Sequence, residues 1–90
     1  MTYRLSISRA VRTEIDRLPG NIRQRVRRAI AQLAQEPRPE GAKPLEGELT
    51  GYYRIRLDDY RIIYRVEDDE VLVEIVRVAQ RTSRTYLGFR

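Results

Sequence analysis

Four arginines fall within one short stretch, YYRIRLDDYRIIYRV at 52–66: Arg54, Arg56, Arg61 and Arg65. A guanidinium donates two parallel hydrogen bonds to phosphate oxygens, so several on one surface suit a phosphodiester. A two-residue turn at Asp58-Asp59 would fold the stretch into a hairpin. Leu57 then faces Tyr60, Arg56 faces Arg61, Ile55 faces Ile62, Arg54 faces Ile63, Tyr53 faces Tyr64 and Tyr52 faces Arg65. Because side chains alternate along a strand, one face collects Tyr53, Ile55, Leu57, Tyr60, Ile62, Tyr64 and Val66. The other collects Tyr52, Arg54, Arg56, Arg61, Ile63 and Arg65. Arg54 and Arg56 are separated by about 7 Å on that face. Arg56 opposite Arg61 is a like-charge pair that costs stability unless an anion joins it. Both a solvated cationic face and an anion site fit this pattern, and Glu74 can neutralise part of it.

The rest of the composition narrows the chemistry. The chain has 90 residues and a net charge of +5, and all of its 18 basic residues except Lys43 are arginine. Such a balance favours an acidic or phosphate-rich partner. There is no cysteine and no histidine. Thiolate chemistry, disulfides and the usual general base are therefore absent, and no metal or cofactor is expected. The N-terminal MTYRLSISRAV is too polar for a signal peptide, and no apolar run approaches the ~18 residues of a membrane span. The expectation is a soluble cytoplasmic protein with no membrane partner.

The elements that must position the arginine face can be read from periodicity. Residues 2–7 alternate, with Tyr3, Leu5 and Ile7 on one side of a half-buried strand. Ser8 is placed to cap a helix carrying Val11, Ile15 and Leu18, which Pro19-Gly20 ends. A second helix over about 21–35 carries Ile22, Val26, Ala29, Ile30 and Leu33. Its arginines Arg23, Arg25, Arg27 and Arg28 read as a solvated face, with diffuse RNA contact as the lesser alternative. The segment EPRPEG at 36–41 stops this helix, and a loop follows near GAKPLEGELT. Three strands at about 52–57, 60–67 and 70–79 come next, with a short helix over TSRTYL at 82–87. The expected fold is a single α+β domain over 1–90, β-α-α-β-β-β-α. It comprises an N-terminal strand, an antiparallel helical hairpin and a three-stranded antiparallel meander, with the helices packed on one sheet face.

Residues 51–86 resemble the RelE/ParE toxin superfamily of bacterial toxin–antitoxin pairs. The resemblance rests on YRIRLDDYRIIY at 53–64, the acidic turn EDDE, Arg81 and Tyr86 in an R-x4-Y ending, and KPLEG at 43–47. The helical hairpin stands where the superfamily has one, so nearly the whole chain is covered. RelE-like members cut mRNA in the ribosomal decoding site without a metal, by attack of the ribose 2′-oxygen on the adjacent phosphate. Carried over residue by residue, the resemblance implies a catalytic set of Arg54, Arg56, Arg61, Arg81 and Tyr86. RNA contacts are expected from Tyr52, Arg65, Arg84 and Lys43. It also implies mRNA, ribosomal RNA and a cognate acidic antitoxin as partners, the last in a hetero-oligomeric complex.

Two departures matter. Arg54 and Arg56 stand where the best-known RelE-like enzymes have lysines, and arginine does not deprotonate in proteins. Gln80 stands where many relatives have histidine. Tyr86 is left as the titratable side chain of the expected site, as general base or as the group orienting the 2′-hydroxyl. ParE-like members, which bind and poison DNA gyrase, share the YRIxY element but usually lack the arginine–tyrosine ending. They are the alternative function.

Overall fold

A computed structural model describes residues 2–80 of the chain. Five strands form one sheet, ordered β1-β5-β4-β3-β2. They are β1 (Arg4–Ile7), β2 (Lys43–Pro44), β3 (Tyr52–Leu57), β4 (Tyr60–Glu67) and β5 (Leu72–Gln80), with helices α1 (Arg9–Asp16) and α2 (Gly20–Leu33) between β1 and β2. The meander β3-β4-β5 is antiparallel, as expected, while β1 runs parallel to β5. The expected C-terminal helix over 82–87 lies outside the described residues.

Local chemistry explains the helical hairpin. Ser8 caps α1, its side chain accepting from the Val11 amide at 3.1 Å; residues 17–19 join the two helices, with Pro19 as the N-cap residue of α2, which begins at Gly20. The apolar stripe Val11, Ile15, Leu18, Ile22, Val26, Ile30 and Leu33 is buried against Ile62, Tyr64, Val73, Ile75 and Val78 of the sheet. Each such side chain contributes about 1.5–3 kcal/mol when fully buried. Tyr53, Ile55, Leu57, Tyr60 and Val66 pack at the margin of this core. That is the apolar face the hairpin alternation predicts.

Three details depart from the sequence reading. Leu5 is 37 % exposed rather than in the core. β1 is one of the two edge strands, and a groove of about 330 Å³ is lined by Leu5 and Ile7 of β1 together with Ile15 and Ile30 of the helices. Lys43-Pro44, expected in a loop, forms the two-residue β2 on β3. The last strand begins at Leu72, because residues 68–71 form a turn closed by the Val71 amide donating to the Asp68 carbonyl at 3.1 Å.

Candidate nucleic-acid interface

The β3–β4 register is the one a two-residue turn requires. Arg56 pairs with Arg61, Arg54 with Ile63 and Tyr52 with Arg65. Asp58 takes a φ of 55° in that turn, a left-handed conformation that aspartate tolerates better than most residues. On β2, Lys43 is the direct partner of Arg54. Directly opposed residues share a face, so Lys43, Arg54 and Arg56 lie together on the side of the sheet away from the helices. Arg54 is half-buried, while Arg56 and Lys43 are exposed.

The cations of the molecule divide by what they touch. Arg65 is clasped by Glu74, its cross-strand partner on β5, and by Glu67. The Glu74 contact leads in holding its guanidinium more firmly protonated than usual. Arg65 is thereby neutralised within the sheet. Arg61 is buried, at 4 % exposure, and donates to the backbone carbonyls of Asp58 at 3.2 Å and Tyr60 at 3.1 Å. Arg61, expected in the catalytic set, has its guanidinium tied to the turn that sets the hairpin register. Ile63 beside it is also fully buried, so exposure on this face increases toward the β2–β3 edge.

Most of the α2 arginines are structural ties. Arg25 pairs with Asp58 at 2.6 Å and Arg27 with Asp16 at 3.2 Å. Arg23 donates to the carbonyls of Asp16 and Leu18, each at 3.4 Å. Helix α2 packs on the opposite side of the sheet from Lys43, Arg54 and Arg56, so its charges do not extend that cluster. Among the described residues, the side chains of Lys43, Arg54 and Arg56 make no hydrogen bond or ion pair. Arg81, Arg84 and Tyr86, the remaining expected site residues, lie outside the described residues. β5 ends at Gln80, opposite Tyr60, with Ala79 opposite Arg61.

A second network has no counterpart in the sequence reading. Arg38, in the segment between α2 and β2, donates to both carboxylate oxygens of Asp68 at 3.1 and 2.9 Å, and its Nε donates to the Tyr53 hydroxyl at 2.9 Å. Tyr3 donates to the same carboxylate at 2.8 Å. These contacts, Arg38 first, hold the Asp68 carboxyl below its ordinary pKa. Tyr53 stacks on Tyr64, whose phenol is pushed up mainly by burial and donates to the Pro37 carbonyl at 2.7 Å. The network fastens the segment that leads into β2 and so positions Lys43. No local signal could find it, because its partners are 15 to 65 residues apart in sequence.

A family profile described as the ParE toxin of type II toxin–antitoxin systems matches residues 5–84. Toxin RelG of Mycobacterium tuberculosis is 35 % identical over 84 residues, covering 92 % of this chain and 95 % of that protein. The mRNA interferase toxin RelE of Escherichia coli is 29 % identical over 83 residues, covering 90 % and 85 %. The archaeal RelE in its complex with RelB from Pyrococcus horikoshii superposes with a TM-score of 0.78 at 34 % identity, covering 92 % and 99 %. The chain belongs to the ParE toxin family of type II toxin–antitoxin systems, within the RelE/ParE superfamily that its arginine hairpin resembles.

Proposed function

We propose that this toxin is a RelE-like mRNA interferase, an endoribonuclease that cuts ribosome-bound mRNA by attack of the ribose 2′-oxygen on the adjacent phosphate. The observation that carries the reading is the cluster of Lys43, Arg54 and Arg56. Among the described residues these three like charges stand together without an acidic partner, whereas Arg25, Arg27, Arg38 and Arg65 are all engaged by carboxylates. Like charges left adjacent are destabilising, and a phosphodiester bound across them reverses that cost. Guanidiniums also stabilise the charge that develops on the phosphoryl oxygens. The name of the Escherichia coli relative, an mRNA interferase, supports the same reading.

In this reading Arg54 and Arg56 grip the phosphate. Arg61 fixes the turn beside them, and Arg81 and Tyr86 complete the site, with Tyr86 accepting or orienting the 2′-proton. Tyr52, Arg65 and Arg84 flank the RNA path. No metal or cofactor takes part, as the family resemblance implies, and the site of action is the cytoplasmic ribosome. When idle, the cationic cluster is covered by a cognate acidic antitoxin; the structural relatives solved as RelE–RelB complexes support that partner.

The test is cleavage of a defined mRNA on programmed ribosomes, mapped by primer extension. The wild-type protein is expected to cut within the decoding site. The Arg54→Ala/Arg56→Ala double variant is expected to lose about 10²–10³-fold in rate, the loss typical of removing a charge-stabilising donor. Growth arrest with intact mRNA and gyrase-dependent DNA breaks would instead assign the gyrase-poisoning function of ParE-like toxins.

A further inference from the structure

Lys43 is the single lysine in the chain, and β2 sets it directly across from Arg54. Opposed residues have Cβ atoms about 5 Å apart, so the flexible stem of Lys43 reaches any anion held by Arg54 and Arg56. Its backbone is fastened on both sides. The Ala42 amide donates to the Pro39 carbonyl and the Leu45 amide to the Tyr52 carbonyl, each at 2.9 Å. Upstream, Tyr64 holds Pro37, and Asp68 and Tyr53 hold Arg38. An exposed lysine with no side-chain partner among the described residues thus projects from a fixed point onto the cationic face.

We propose that Lys43 donates the proton to the leaving oxygen in the cleavage described above, an inference that rests on that reading. In the reaction the ribose 2′-oxygen bonds to phosphorus and gives up its proton. The bond from phosphorus to the 5′-oxygen breaks, its electron pair stays on that oxygen, and the oxygen then needs a proton. Of the three clustered cations, only an ammonium can supply it, because a guanidinium does not deprotonate in proteins. Arg54 and Arg56 hold the non-bridging oxygens. Lys43 Nζ passes a proton to the 5′-oxygen, becomes a neutral amine and is reprotonated by water. The 2′-proton goes to a separate acceptor, the part assigned to Tyr86.

Lys43→Arg keeps the charge and removes the exchangeable ammonium. Single-turnover cleavage by the full chain on programmed ribosomes, measured across pH, reads the difference. Lys43→Arg is expected to bind the programmed ribosome as the wild type does. It should cut about 10²-fold more slowly, the scale of a positioned acid, and lose the fall in rate at high pH. A second mRNA carries sulfur in place of the bridging 5′-oxygen at the cleaved phosphate. A thiolate leaves without a proton, so Lys43→Arg and wild type are expected to cut this linkage at equal rates. Wild-type cleavage of ordinary mRNA by Lys43→Arg overturns the inference, and so does slow cleavage of both linkages. Failure of the wild-type protein to cut ribosome-bound mRNA overturns the nuclease reading itself and the inference with it, a result visible before any variant is compared.

Discussion

Arg56 and Arg61 face each other across the hairpin, but they do different things. Arg56 is exposed with a side chain that pairs with nothing among the described residues. Arg61 is buried with its guanidinium on two carbonyls of its own turn. Truncating Arg61 removes both hydrogen bonds and leaves a void beside the fully buried Ile63. Arg61→Ala is therefore expected to lower unfolding free energy by about 1–3 kcal/mol, read from urea denaturation. Arg56→Ala is expected to stay within about 0.5 kcal/mol of wild type, because it removes a surface charge from a like-charge pair. An Arg61→Ala protein as stable as wild type would show that the turn contacts are dispensable. The pairing of these two arginines was legible in the sequence, since alternation and a two-residue turn determine it. The burial of one of them was not, because burial depends on what packs over the face.

At the scale of elements, the turns between strands carry the information that periodicity misses. Val71 holds a φ of 51° in the turn before β5, where a β-branched residue is strained. Its carbonyl accepts from the Arg4 amide at 2.8 Å, which joins the turn to β1. A left-handed conformation costs an L-residue roughly 1–2 kcal/mol and costs glycine little. Val71→Gly is expected to raise stability by up to about 1 kcal/mol, part of the relief being offset by the greater freedom of glycine when unfolded. A lower urea midpoint for Val71→Gly would show that the valine side chain contributes more by packing than it loses by strain. Asp68 in the same turn has a depressed pKa, set first by Arg38 and then by Tyr3. A carboxylate depressed in the folded state stabilises at pH values above its unfolded pKa and loses that effect as pH falls through the folded value. Asp68→Asn is thus expected to be less stable than wild type at neutral pH. The gap should close as pH drops below the ordinary carboxyl value of 3.8. The effect is small because the group is exposed, and parallel pH profiles for the two proteins would exclude it. β2 and the Arg38 tie were hidden in the sequence for a common reason. Two residues give no alternation to read, and a contact between loops 30 residues apart leaves no local trace.

On the scale of the whole molecule, net charge and its location make different predictions about binding. A charge of +5 attracts any polyanion, but only cations facing the ligand release counterions when it binds. For single-stranded nucleic acid the logarithm of affinity falls with the logarithm of salt by about 0.7 per phosphate neutralised. Arg54 and Arg56 lie on the face away from the helices and carry no partner among the described residues. Arg25 and Arg27 lie on α2 and are paired with Asp58 and Asp16. The double variants Arg54→Ala/Arg56→Ala and Arg25→Ala/Arg27→Ala lower the net charge by the same two units. Only the first is expected to flatten the salt dependence of binding to an unstructured RNA, by roughly 1–1.5 in slope. The second is expected to keep the wild-type slope, with at most a modest loss of stability from two surface ion pairs. Titration of each protein with a fluorescent single-stranded RNA at several salt concentrations makes the comparison. Equal flattening in both variants would mean that the RNA senses the overall field of a basic protein, and the sheet face would lose its claim to be the binding surface.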